Sequence, residues 1–154
     1  MKIRYFCGLG ASNGRTAIIR YAIKSNPRER FVRERAEERL DDGAVLLNLY
    51  AEFEKLTSET DPKVAGHRQI TLFKSYKTTV AIFAFDSGGG MREHSAPGVV
   101  TVQVLKGTLE INVAGETHHI AAQNVLVIPP GARHDVKAIE PSQMLLTVSL
   151  QKAE

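Results

Sequence analysis

The sequence predicts an all-β fold, a sandwich or barrel, and three observations predict it. From Gln69 onward short apolar runs follow one another at 69–75, 78–85, 99–105, 108–114, 124–129 and 144–150. They are rich in valine, isoleucine, threonine and phenylalanine, the residues that suit a pleated, half-buried surface. The turn clusters DSGGG, KGT, AGE, PPGA and EPS punctuate them, and no helical period lies between, so the alternation of a doubly wound sheet is absent. A length of 154 residues suits one domain, able to bury about 68–70% of its unfolded surface without disulfide support. No internal repeat is visible.

The N-terminal part has a different texture. Residues 1–28 hold no persistent period, and GLGASNG (8–14) is a turn-rich run. It lacks the Lys-Ser/Thr pair of a phosphate loop and the glycine spacing of a dinucleotide site. Residues 27–42 predict a charged helix. Pro27 suits its first position, Val32, Ala36 and Leu40 recur at i, i+4 and i+8, and Gly43 stands where a helix stops. Charges of both signs mark it as a solvated appendage. Residues 44–56 are ambiguous: Val45, Leu46, Leu49, Phe53 and Leu56 fit one helical face, and AVLLNL fits an edge strand equally. The expected division is therefore a partly helical N-terminal extension (1–43) and a barrel domain (44–154).

Charge and composition exclude several classes. The net charge is +3, yet residues 1–28 alone carry Lys2, Arg4, Arg15, Arg20, Lys24 and Arg28 with no acidic residue. The remainder is slightly acidic. A basic tail without arrayed aromatics argues against a nucleic-acid partner. No run of 18 apolar residues spans a membrane, and the start lacks the apolar core of a secretory signal. Its arginines and missing acids resemble an organelle transit segment; an upstream extension of a compact domain fits the same facts and is the expectation. Cys7 is the single cysteine, so no internal disulfide forms and a reducing, cytoplasmic compartment is expected.

Two glycine- and proline-marked segments carry histidines. In the first, GGGMREHSAPGVVTVQVLKG, Gly88 stands six residues before His94 and Gly107 thirteen after it. In the second, PPGARH, Pro129 and Gly131 precede His134. Gly107 is expected in a tight hairpin that needs positive φ, and the Pro129-Pro130-Gly131 turn ends one strand and sets His134 at the start of the next.

In order and spacing these segments resemble the two motifs of the cupins, G-x5-H-x-H-x3,4-E-x6-G and G-x5-7-P-x-G-x2-H-x3-N. The resemblance covers roughly residues 66–150 and implies a double-stranded β-helix, or jelly-roll barrel. Gln123 replaces the opening glycine of the second motif and Ala138 its closing asparagine. In a metal-bearing cupin three histidines and an acid converge on one divalent transition metal, of iron, manganese, nickel or zinc type. Here His94 and His134 match ligands, while Ala96 stands at the second histidine and Val100 at the acid. Two imidazoles alone hold such an ion poorly.

Strand parity extends this. With His94 facing inward, Ala96, Val100, Val102 and Val104 share its side, as do His134 and Val136. The expected pocket is apolar with two imidazoles at its mouth, suited to a small molecule with an apolar body and one or two acceptors. His118 and His119 are adjacent, so they point to opposite faces, and His67 is placed in a loop. Ser95 and Asp135 neighbour the two histidines and diverge from them, leaving no triad. Glu93 and Glu110 face outward or lie remote, and Asp86 precedes the glycine run, so no inward acid accompanies an imidazole.

Three functions stay open. The first is a binding module with little or no tightly bound metal. The second is a metal-dependent oxygenase, isomerase or decarboxylase, with His94 and His134 completed by a third ligand from the N-terminal segment. The third is an interaction role for residues 1–56. Whether the protein is an enzyme is left undecided. The resemblance also implies a homodimer formed through a sheet face, on which Gln103 would lie.

Overall fold

The computed structural model describes residues 44–150. The expected N-terminal extension, the helix at 27–42 and Cys7 lie outside them.

Residues 44–56 resolve as a helix rather than a strand. α1 (Leu49–Ser58) is capped by Asn48, whose Oδ1 accepts from the Ala51 amide at 3.1 Å. Glu52 pairs with Lys55 one turn on. Phe53 and Leu56 make the buried face. Val45 and Leu46 do not belong to it: they precede the cap, and Leu46 is 97% exposed. In the last turn the Ser58 hydroxyl donates to the carbonyl of Lys55, one of the four the helix end leaves without an intrahelical partner, and the Thr57 hydroxyl bonds back to the Phe53 carbonyl. Arg68 then holds the loop that follows, with Nη2 donating to the carbonyls of Glu59 and Asp61.

Nine strands follow among the described residues: β1 (His67–Lys74), β2 (Thr78–Phe85), β3 (Gly90–His94), β4 (Gly98–Lys106), β5 (Thr108–Val113), β6 (Glu116–Ala121), β7 (Val125–Ile128), β8 (His134–Ala138) and β9 (Ser142–Leu150). They form a five-stranded sheet of order β1-β2-β9-β4-β7 and a four-stranded sheet of order β3-β8-β5-β6. All pairings are antiparallel. The last strand is central, with Leu146 opposite both Ala81 of β2 and Val102 of β4.

Alternation decides which residues enter the core. Along β4, Val100, Val102 and Val104 are buried, while Thr101 and Gln103 are only half-buried on the other face. The inward valines join Phe83, Phe85, Leu109, Ile111, Ile128 and Met144 between the sheets. A second cluster forms outside the five-stranded sheet, where Phe53 and Leu56 of α1 cover Leu72 and Ile82. Strand β2 is therefore apolar on both faces, which explains the unbroken run TTVAIFAF.

The six runs read from sequence correspond to β1, β2, β4, β5, β7 and β9. The hairpin expected at Gly107 does not form. Strands β4 and β5 belong to different sheets, so Gly107 sits where the chain crosses between them. Its φ is +76°, and a side chain there would run into Pro141 and Ser142, so glycine is required for two reasons. Among the described residues no helix is long and apolar enough to cross a membrane.

The helix is part of the packed unit by this account. Leu56→Ala should destabilise the protein by about 2–5 kcal/mol, the usual cost of emptying a buried leucine site. Urea denaturation measures it, and a loss below ~0.5 kcal/mol would mean that α1 contributes nothing to the fold.

Candidate functional site

The two motif histidines are brought together. His94 ends β3, His134 begins β8, and their Cα atoms are register partners. The ring centroids lie 4.3 Å apart with the planes tilted by 58°. His134 is buried, at 4% exposure, and His94 half-buried.

Local backbone chemistry sets this arrangement. Strand β7 stops at Ile128 before Pro129 and Pro130, and Gly131 takes a φ of +76° to turn the chain. The Gly131 amide donates to the Ala96 carbonyl at 2.8 Å, tying the loop after His94 to the loop before His134. The Ala114 amide donates to the Arg133 carbonyl at 2.9 Å, anchoring the same loop to the end of β5. On the exposed side Arg133 grips Glu93, with Nε to Oε1 at 2.7 Å and Nη2 to the same oxygen at 2.5 Å. The residues flanking the histidines thus pair outward while the rings pair inward.

Each imidazole is also tethered to the backbone two residues before it. Nδ1 of His94 lies 2.8 Å from the Arg92 carbonyl, and Nδ1 of His134 lies 2.9 Å from the Ala132 carbonyl. A carbonyl only accepts, so both Nδ1 atoms carry the hydrogen. In the neutral ring each Nε2 then presents a lone pair. The sealed, partnerless side-chain nitrogens among the described residues are Nδ1 of His67 and Nε and Nη1 of Arg68. Neither Nε2 of the pair is among them, so neither is shut away.

Of the seven residues expected to line a pocket, five are buried and His94 and Ala96 are half-buried, and they lie at different depths. Val100 pairs with Ile128, the residue preceding the second histidine loop, and Ala96 packs half-buried against the core. Val136 lies two residues along β8 from His134, opposite Met91. Val102 and Val104 lie progressively farther along β4. At about 3.4 Å per residue, Val104 is roughly 14 Å from Val100. It pairs with Met144, itself opposite Phe83. His94, Ala96, Val100, His134 and Val136 thus mark one end, and Val104 the other. Three neighbours escaped sequence reasoning: Met91, Ala132 and Val113, the last a register partner of His134. Val113 shares the parity of buried Leu109 and Ile111, so extending that row would have found it.

The remaining histidines divide differently. His67 is in β1, not a loop; its ring packs 5.4 Å from Phe85 and 6.0 Å from Phe83. His118 pairs with inward Ile111 and is half-buried, whereas His119 points out, 3.9 Å from Glu110. Ser95 is exposed beside the pair, and Asp135 faces Asn112 across β5.

The described donors at this end of the barrel are the two imidazoles. Among the described residues no three His, Cys, Asp or Glu groups come close enough to hold a metal. Ala96 and Val100 occupy the two other ligand positions, and no described side chain replaces them. Two imidazoles leave most of the coordination to solvent.

Buried His134 and exposed Arg133 should respond differently to truncation. His134→Ala removes a tethered, packed ring and should cost about 2 kcal/mol, whereas the surface pair Arg133–Glu93 should contribute under ~1 kcal/mol in a double-mutant cycle. Chemical denaturation of the variants checks both, and a larger effect at Arg133 would reverse the assignment.

Comparison with known proteins agrees with this fold. The cupin domain model matches residues 81–149. The chain is similar to a conserved protein of unknown function from Streptococcus pyogenes, with 30% identity and a TM-score of 0.58 over 72% of this chain and 91% of that one. A cupin superfamily protein from Desulfitobacterium hafniense shares 18% identity and a TM-score of 0.55 over 59% and 84% of the two chains. An RmlC-like cupin from Shewanella frigidimarina shares 19% identity and a TM-score of 0.55 over 61% and 85%. No curated protein matches the chain. With its two-sheet barrel, its ordered motifs and these likenesses, the chain belongs to the cupin family.

Proposed function

We propose that this cupin is a small-molecule-binding module, with its ligand held at the His94–His134 end of the barrel and little or no tightly bound metal. One observation carries the proposal. Two inward imidazoles face each other among aliphatic side chains, and the positions that would complete a metal site are Ala96 and Val100. Such a surface offers few polar groups and much apolar area, the usual make-up of a ligand site. Val100 and Val136, with Met91 and Val113 beside them, would contact the body of the ligand.

A second copy of the chain is part of the proposal. Val125 and Val127 are 54% and 60% exposed on β7, the edge of the five-stranded sheet, where the paired face also carries Gln103. A reducing, cytoplasmic setting fits the single cysteine.

Elemental analysis of protein purified without an affinity tag or chelator tests the proposal. Metal well below one equivalent is expected, together with a melting temperature unchanged by chelator. Near one equivalent of a transition metal would overturn it and favour a metal-dependent oxygenase, isomerase or decarboxylase using His94 and His134.

A further inference from the structure

Resting on the binding-module proposal, we infer that the ligand meets the His94–His134 pair with hydrogen-bond donors: an apolar body bearing adjacent hydroxyls, the chemistry of a catechol. This reverses the expectation from sequence, in which two histidines suggested a ligand with acceptors.

The inference follows from the tethers. Both Nδ1 atoms donate to backbone carbonyls, at 2.8 and 2.9 Å. A ring that moved its hydrogen to Nε2 would set its Nδ1 lone pair against a carbonyl oxygen. The backbone therefore fixes the same tautomer in both rings, and what each neutral ring shows the barrel is an acceptor. With ring centroids 4.3 Å apart, one small molecule reaches both. Two neighbouring acceptors repel a carboxylate or an ether oxygen and attract a pair of O–H groups.

The surroundings select the rest of the molecule. The row beside the pair is Met91, Val136 and Ile111, joined by register, with Val113 directly opposite His134. None of these offers a side-chain hydrogen bond, so a charged or heavily hydroxylated body would be desolvated without compensation. A flat apolar body with its hydroxyls on one edge satisfies both demands. Sites built around a hydrogen bond discriminate sharply against analogues that lack it, because their own polar atoms are then left unpaired.

The test uses the full chain, uniformly 15N-labelled and shown metal-free by elemental analysis. Long-range 1H–15N spectra at pH 8 should place both rings in the Nδ1–H form. Titration calorimetry then compares catechol with 1,2-dimethoxybenzene, which keeps the shape without donors, and with benzoate, which offers only acceptors. Catechol should bind about ten-fold or more tightly than either. His134→Phe, and His94→Phe at the more exposed ring should the first fail to fold, should abolish that preference. Nε2–H signals from either ring, or equal binding of benzoate or 1,2-dimethoxybenzene, would overturn the inference. Correct tautomers with no catechol binding would overturn it too. A stoichiometric metal in the purified protein would instead overturn the proposal beneath it, so the two failures are distinguishable.

Discussion

Burial of facing aliphatic rows is the constraint from which the rest of this barrel follows. Val100, Val102 and Val104 come from one sheet and Leu109, Ile111 and Val136 from the other, all at 5% exposure or less. Each such side chain contributes about 1.5–3 kcal/mol when withdrawn from water. A slip of one residue in any strand would turn its row outward, so the same burial fixes register. Register in turn decides the site. His94 and His134 meet because the register shifts between Met91 and His94: Met91 pairs with Val136, and an extra residue in β3 then sets His94, rather than Glu93, opposite His134.

At the histidine end, backbone groups do most of the positioning. The Gly131–Ala96 hydrogen bond joins the two loops, and the carbonyls of Arg92 and Ala132 orient the rings. Side chains play a smaller part, chiefly the exposed Arg133–Glu93 pair. The rings are thus oriented beside Ala96 and Val100, whose side chains offer no polar atom.

Much of this was legible in the sequence because it rests on period and punctuation. The alternation in VVTVQVL gave the inward face of β4, and PPGARH marked the turn before His134. The strands outside the six runs carry those signals weakly. Strand β3 contains Met91 as its one large apolar residue and sits at a sheet edge, held by β8 rather than by its own pattern. In β6 the inward row is His118 and Ile120, half polar, so alternation is muted. The Gly107 hairpin was misjudged because a glycine between two strands reads alike whether they pair or part; only long-range pairing distinguishes the two. Ring tautomers were beyond sequence reasoning altogether, since they depend on a carbonyl two residues away being turned toward the ring.

The central place of β9 bears on how the protein is made. Strands β2 and β4 each pair with this final strand and not with each other. While the chain emerges from the ribosome, the five-stranded sheet stays split until residues 142–150 are free. Until then β2 exposes apolar side chains on both faces, and β1–β2 and β4–β7 are separate fragments with open edges. Completion of this sheet therefore waits on residues 142–150, and a nascent chain still short of them passes through a state that invites chaperone capture or edge-to-edge association.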